Sequence, residues 1–425
     1  MRRTLLLIPH EIASIPVFGI GLVLGLLIAA AAVVTMTVIA RKQNVTEYWL
    51  SNGLIWLLGA AAVVFLIPNI ELTAPDGSPV GMAIRGYGVM LLAGVAVSVW
   101  LAIVRGKRYG IDPDTMLGVA PWVLVGGILG ARLFYVVEYR DQFFMGGVVS
   151  TIKSLVNFTE GGLVVYGSFI GGFLAAMVYI LRHSLPFLRM GDAIVPCMFI
   201  GLSLGRIGCL MNGCCYGNTC EDHWSALRFP NGSPVFQEQI SSGKLLGLTL
   251  SERGDKIIAV AENSPAAARG IVPGGGVESL DSFRSLQEAD PKKPVEDAPI
   301  GAVAVIDGKE HYWSASQLPL TASPVRASQL ISSIGALALC GMLCFISRYL
   351  HRDGWVMLIG FASYTVLRFV MEILRNDEPG QFGTELTIAQ WVSVVVFALS
   401  LIGMAWLKWG TSAPKPVRNV EAAGG

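Results

Sequence analysis

Residues 205–217 read Gly-Arg-Ile-Gly-Cys-Leu-Met-Asn-Gly-Cys-Cys-Tyr-Gly and set an arginine near the end of an apolar run that begins at Ile194. At mid-bilayer on an isolated helix an arginine costs about 2.5 to 3.5 kcal/mol by insertion scales, so such residues face a polar cavity and meet an anion. Gly201, Gly205 and Gly208 recur beside Arg206 at helical spacing, which lets a neighbouring backbone or a ligand headgroup come close. Asn212 and the glycines after it supply donors where the helix ends.

The composition agrees with a membrane setting. Hydrophobic residues make up 53% of the 425, charged residues 14%, and mean hydropathy is +0.59, which excludes an ordinary soluble domain and predicts an α-helical polytopic membrane protein. There are about nine apolar runs of spanning length, at 16–40, 52–70, 84–104, 116–138, 162–181, 192–211, 327–349, 354–374 and 386–408. The first is too long for the core of a signal peptide and is read as a helix. Arg41, Lys42, Arg105, Lys107, Arg108, Arg182, Arg189, Arg348 and Arg352 fall in alternate short loops, and Lys408, Lys415 and Arg418 follow the last run. The positive-inside rule then puts the N-terminus outside and the C-terminus in the cytoplasm, although Arg2 and Arg3 argue the other way. The net charge of +1 points to no partner, nucleic acid included.

The one long polar stretch, 221–324, lies between the sixth and seventh runs, and the topology places it outside. It reads as a small β-rich domain. Residues 244–281 resemble a PDZ domain in the strand-like run 256–260, the Ser264-Pro265-Ala266-Ala267 helix start and the Gly270-Ile-Val-Pro-Gly274 turn. A PDZ groove binds an extended peptide by strand addition, whereas a degenerate copy binds none. Both readings stay open. Residues 289–299, rich in Pro, Asp and Lys, read as a loop.

Depth along the helices brings the charges together. Arg206 lies fifteen residues beyond Gly191 and Arg368 fifteen beyond Asp353, roughly 22 Å along each helix at about 1.5 Å per residue. Arg132 lies about 25 Å into the fourth run by the same rise. In a hydrocarbon core of about 30 Å that level is in the outer half. Tyr166 and Tyr87, near the outer ends of helices running the other way, reach the same depth. Arg368, Glu372 and Arg375 are spaced i, i+4, i+7 on one face, so the glutamate can pair with either arginine and one positive charge remains. Internal ion pairs that merely hold the bundle would explain Arg375. For Arg206, with no acidic residue within a turn, an anionic ligand is the better account.

These motifs carry a family resemblance. Gly161-Gly162-Leu-Val-Val-Tyr166-Gly167-Ser-Phe-Ile-Gly171, Gly205-Arg206-Ile-Gly208 through Asn212-Gly213 to Gly217, Ser328-Gln329-Leu330, and Arg368 through Glu372 to Arg375 are similar in order and spacing to the prolipoprotein diacylglyceryl transferase family. Tyr87-Gly88 and Gly130-Ala131-Arg132 also match. The resemblance implies a seven-helix core in two parts, 83–219 and 325–410. Around it, 1–82 adds two N-terminal helices, 220–324 is the extracytoplasmic insertion and 411–425 is a cytoplasmic tail. It implies transfer of a diacylglyceryl group from phosphatidylglycerol to the lipobox cysteine of a preprolipoprotein at the bacterial cytoplasmic membrane, with no cofactor and no metal. Arg206 and Arg368 carry over as phosphate and transition-state ligands. Tyr87, Asn212 and Gly217 carry over as donors or backbone contacts near the headgroup, with Arg132, Gln329 and Arg375 lining the site and Glu372 orienting Arg368.

Two features depart from the family. Tyr166 stands where many members have a histidine proposed as the base, and a tyrosine of pKa about 10 is a poor base at neutral pH, which favours a hydrogen-bonding role. Cys209, Cys214, Cys215 and Cys220 replace polar residues, and tight packing, a disulfide or a metal each account for them. Cys197, Cys340 and Cys344 read as apolar fillers within spans. A lipid flippase would use intramembrane arginines but needs a polar path through both leaflets. A thiol-redox protein would leave the arginines and glycine motifs without a purpose.

Overall fold

The computed structural model describes residues 4–140, 164–290, 293–375 and 383–409. They hold the helices α1 (Leu22–Ala40), α2 (Val45–Ala61), α3 (Gly86–Arg108), α4 (Pro113–Glu138), α5 (Val165–Arg182), α6 (Phe187–Asn212), α7 (Pro234–Ser241), α8 (Ser328–Ile346), α9 (Trp355–Arg375) and α10 (Ile388–Trp409). Eight of these are long and apolar enough to cross a bilayer, α2 continuing through a π turn and a 3-10 turn to Ile70. The apolar part of α5, Gly167–Arg182, is shorter. Every expected span finds a helix, and the chain is a polytopic membrane protein with small sheets.

Two boundaries differ from the sequence reading for local reasons. The first span starts at Leu22 rather than 16, because Thr4–Pro9 is a strand and Glu11–Ile12 forms a hairpin with Ile15–Pro16. The second starts at Val45 rather than 52, because the Asn44 side chain accepts from the backbone N–H of Thr46 and Glu47 and so caps the helix earlier.

The chain divides into two compact units. The first comprises 1–89 and 208–327. In it, Thr4–Pro9 pairs antiparallel with Pro79–Arg85, which also carries Leu72–Thr73. The insertion packs Phe229, Val235, Phe236, Ile240, Leu246 and Trp313 into its own core, with Leu210 and Tyr216 against the edge. Around that core stand the hairpin of Leu248–Leu250 with Ile257–Val260 and a three-stranded antiparallel meander, Val277–Arg284, Ile300–Ile306 and Lys309–Trp313. The two ends of the insertion are stitched to each other. Gly217 donates to the carbonyl of Arg326 at 3.0 Å, Arg326 to that of Asn218 at 3.0 Å and Cys220 to that of Pro324 at 3.0 Å.

The second unit comprises 90–207 and 328–425. Its closest crossing is between α4 and α5, where glycines four residues apart line both faces. A Cβ on Gly130 would sit 2.3 Å from the Gly167 carbonyl oxygen, and one on Gly171 2.2 Å from that of Gly126. Small residues at that spacing let two helix backbones touch inside a bilayer, where dispersion rather than water exclusion holds helices together. At the other end of the helices Asp192 caps α9, accepting from Gly354 N–H at 2.6 Å and Met357 N–H at 2.8 Å. Arg105, read from sequence as a loop charge, lies in the last turn of α3 and is buried. Its guanidinium donates to the carbonyls of Ala193 at 3.1 Å and Asp192 at 2.8 Å, so these acceptors, and not solvent, satisfy the cation.

The crossing makes a direct test. Gly171→Val is expected to lower the thermal midpoint of the detergent-purified protein, since overpacking costs about 1 to 3 kcal/mol even where neighbours can yield. Gly59→Ala, with nothing within 4 Å of the added Cβ, is expected to leave it unchanged or slightly raised. Equal midpoints for the two variants would contradict the close crossing.

Candidate functional site

Arg206 is placed by α6, which Gly205 and Gly208 flank. It is half-buried, and among the described residues it has neither an ion-pair partner nor a hydrogen-bond acceptor; its Nε is shielded from solvent altogether. Leaving a buried donor unmade costs about 1 to 3 kcal/mol, and more for a charged one. One turn before it, Ser203 Oγ and Ser333 Oγ of α8 lie 2.9 Å apart, and Ser333 Oγ also lies 3.0 Å from the Ser203 carbonyl oxygen. The stitched ends of the insertion make α6 and α8 antiparallel. One turn on from Ser203 is Arg206 and one turn before Ser333 is Gln329, so the fully buried Gln329 comes at the level of the arginine on the facing helix.

Arg368 is held differently. Its guanidinium is 2.9 Å from Glu372 one turn on, the glutamate side chain being 2% exposed and the arginine 22%. Glu372 also accepts from Thr387 Oγ1 at 3.3 Å. Thr387 is the cap of α10: its Oγ1 accepts from Gln390 N–H at 3.3 Å, while Gln390 Oε1 accepts from Thr387 N–H at 3.0 Å. The reciprocal pair is a capping box, which fixes the helix start and with it the threonine hydroxyl. A relay thus runs from Gln390 through Thr387 and Glu372 to Arg368, and the carboxylate neutralises that arginine while aiming it.

Arg132 is buried on α4, its guanidinium 5.5 Å from the centre of the Tyr135 ring, a cation–π distance. Arg132, Arg206, Gln329, Arg368 and Glu372 all belong to the second unit. The backbone of Tyr166 falls in the first turn of α5 and that of Arg375 in the last turn of α9; their side chains lie outside the described residues. Tyr87, Asn212 and Gly217 belong to the other unit. Tyr87 is 41% exposed. Asn212 ends α6 and lines a cavity of about 460 Å³ with Leu7, Ser233, Lys293 and Glu296. The Gly217 N–H donates to the carbonyl of Arg326. Thr387 and Gln390 were missed by sequence reasoning, although Thr-x-x-Gln ahead of an apolar run is a legible capping signal. Of the four cysteines, Cys209, Cys214 and Cys215 converge, and Cys220 stands outside the group.

A family model described as prolipoprotein diacylglyceryl transferase matches residues 78–406. A relative from Rhodopirellula baltica, named phosphatidylglycerol–prolipoprotein diacylglyceryl transferase, is 39% identical over 96% of this chain and 89% of its own length. That span takes in the N-terminal helices and the insertion. Relatives of the same name from Clostridium tetani and Pseudoalteromonas atlantica are 34% and 32% identical, over 32% and 40% of this chain and 53% and 59% of their own.

The relay predicts a coupling that thermal unfolding in detergent can read. Glu372→Ala strands Arg368 and is expected to destabilise the protein by up to about 3 to 5 kcal/mol, the cost of breaking a buried pair. Arg368→Gln/Glu372→Gln, which removes both charges, is expected to recover most of that loss. A double variant as unstable as the sum of its singles would show that the two side chains do not act as a pair.

Proposed function

The chain belongs to the prolipoprotein diacylglyceryl transferase family, and from that premise we propose that Arg206 and Arg368 bind the phosphate of phosphatidylglycerol and stabilise it as it leaves. The enzyme's activity is the family's, transfer of a diacylglyceryl group from phosphatidylglycerol to a prolipoprotein. The acceptor is the lipobox cysteine. Its thiol gives up a proton to water, the thiolate attacks the glyceryl carbon, a C–S bond forms, the C–O bond to phosphate breaks, and glycerol 1-phosphate leaves as the dianion. Through that step the phosphate passes from a diester of one negative charge towards a monoester of two. Guanidinium donors aimed at the phosphate oxygens hold them more tightly as charge builds there, which is the condition for lowering a barrier rather than merely binding substrate.

The buried, unpartnered Nε of Arg206 is the observation that carries this reading. Arg368, already balanced by Glu372, supplies donors of fixed direction, and Arg206 supplies the net charge. Arg132, Gln329 and Arg375 are proposed to line the headgroup region and Tyr87 and Asn212 to donate at its edge. Tyr166 is proposed as a hydrogen-bond donor rather than a base. The core is proposed as 83–219 and 325–410, with the two N-terminal helices and the insertion added to it. The basic residues closing α3, α5 and α10 favour a cytoplasmic location for those ends, in the bacterial cytoplasmic membrane, with the insertion on the opposite side. There the insertion would meet an extended peptide, for which Lys309–Trp313 and Val277–Arg284, each paired on one side only in their sheet, are candidate edges for strand addition.

Transfer from labelled phosphatidylglycerol to a lipobox peptide in membranes tests the assignment. Arg206→Ala and Arg368→Ala are each expected to abolish product, and Arg206→Lys to recover little, because an ammonium cannot offer a planar fork to phosphate. Near-wild-type turnover in either alanine variant would overturn the roles given to them. In the same assay Tyr166→Phe is expected to lower the rate roughly 10- to 100-fold, the worth of one or two hydrogen bonds, with Tyr166→His tolerated. Complete loss with Phe, with a pH optimum set by the phenol, would make Tyr166 a base.

A further inference from the structure

Three thiols meet where α6 ends, and nothing in the proposed transfer uses them. Cys209 sits in the last turn of α6, and Gly213 and Cys214 both turn their N–H back onto its carbonyl, at 2.9 and 3.1 Å. Gly213 has φ +78° and Cys215 φ +56°, so the chain makes two left-handed steps within three residues. A left-handed residue with a side chain costs on the order of 1 to 3 kcal/mol and persists where the surroundings demand it. Consecutive side chains of an extended segment point to opposite sides. Here the turn brings both Cys214 and Cys215 round to Cys209, and the three sulfur atoms all lie within 4.8 Å of one another. Each residue is half-buried, and none of the three is joined in a disulfide.

Zinc–sulfur bonds of about 2.3 Å set the edges of a trigonal or tetrahedral thiolate group at roughly 3.8 to 4.0 Å, so small rotations of the three side chains close this group on an ion. The spacing Cys-x4-Cys-Cys is unlike that of common zinc motifs, and so the sequence alone does not single it out. Soft thiolates select closed-shell thiophilic cations, Zn²⁺ or Cu⁺, over hard ones.

We propose that Cys209, Cys214 and Cys215 bind one thiophilic metal ion as three thiolates, with a fourth position open to an external thiol. Binding releases three protons to solvent, one from each sulfur, and a thiol entering the fourth position releases one more while displacing water. A metal-bound thiol is a thiolate at neutral pH. That last role rests on the proposed transfer, whose acceptor is a thiol and whose Tyr166 is a poor base.

The full-length protein, reduced without oxygen and then exposed to Zn²⁺ or Cu⁺, is washed and analysed for metal, and Co²⁺ is used as the spectroscopic probe. One ion per chain is expected, with a thiolate-to-cobalt charge-transfer band and the visible bands of a four-coordinate ion. Cys214→Ser and Cys215→Ser should each weaken uptake at least tenfold while Cys220→Ser keeps it, and a thermal midpoint for each variant separates lost ligation from lost folding. Uptake by Cys209→Ser/Cys214→Ser/Cys215→Ser equal to that of the natural chain overturns the site. So does a protein two hydrogens lighter than its reduced mass after isolation in the presence of zinc, which would make the group a disulfide. The thiol position is read separately, by adding a short cysteine peptide to the cobalt-loaded Arg206→Ala protein. A shifted charge-transfer band supports it and an unchanged band removes it, whatever becomes of the transfer reading.

Discussion

A guanidinium in a low-dielectric medium has to meet negative charge, and the membrane unit meets that demand in two opposite ways. Arg368 is answered from within by Glu372 at 2.9 Å, while Arg206 has no acceptor among the described residues. A chain that balanced both arginines would be inert towards phosphate, and one that balanced neither would carry two uncompensated charges in the membrane. With one balanced and one open, the two arginines and Glu372 keep one net positive charge, which in the proposed reading a phosphate completes.

Much of the surrounding structure keeps those two side chains in place. Glu372 could not aim Arg368 if it were free to turn, and Thr387 fixes it from the capping box that starts α10. Asp192 does the corresponding work at the far end of α9, where it accepts from Gly354 and Met357. The helix bearing Arg368 is thus tied at both ends by polar contacts with directional preference, which matter more inside a bilayer than apolar contacts because lipid tails compete with the latter. On α6 the serine pair Ser203 and Ser333 sets the register against α8, and that register brings Gln329 to the level of Arg206.

The helices were legible because a spanning segment must be apolar over its whole length, and so was the face shared by Arg368 and Glu372, which follows from spacing alone. What escaped the sequence was of longer range. The strand Thr4–Pro9 joins Pro79–Arg85 across two membrane helices, and no local pattern encodes that partnership. Arg105 read as a loop charge because its carbonyl acceptors belong to α6, 87 and 88 residues away. The thiol group was obscured in another way, since left-handed backbone at Cys215 is not written in residue types and the cysteine spacing alone left packing, a disulfide and a metal open. Thr387 and Gln390 were readable in principle as a helix start, but their role as the support of Glu372 depends on tertiary packing.

The central claim is that the open arginine is closed by lipid phosphate. Solid-state NMR of the protein, with ¹⁵N-labelled arginine, in phosphatidylglycerol bilayers measures it through ³¹P dephasing of guanidinium nitrogens. The account predicts dephasing at hydrogen-bonding range whose Arg206 share is lost in Arg206→Lys, while that of Arg368 remains. Dephasing of the same size in that variant, or none in the natural chain, would contradict it.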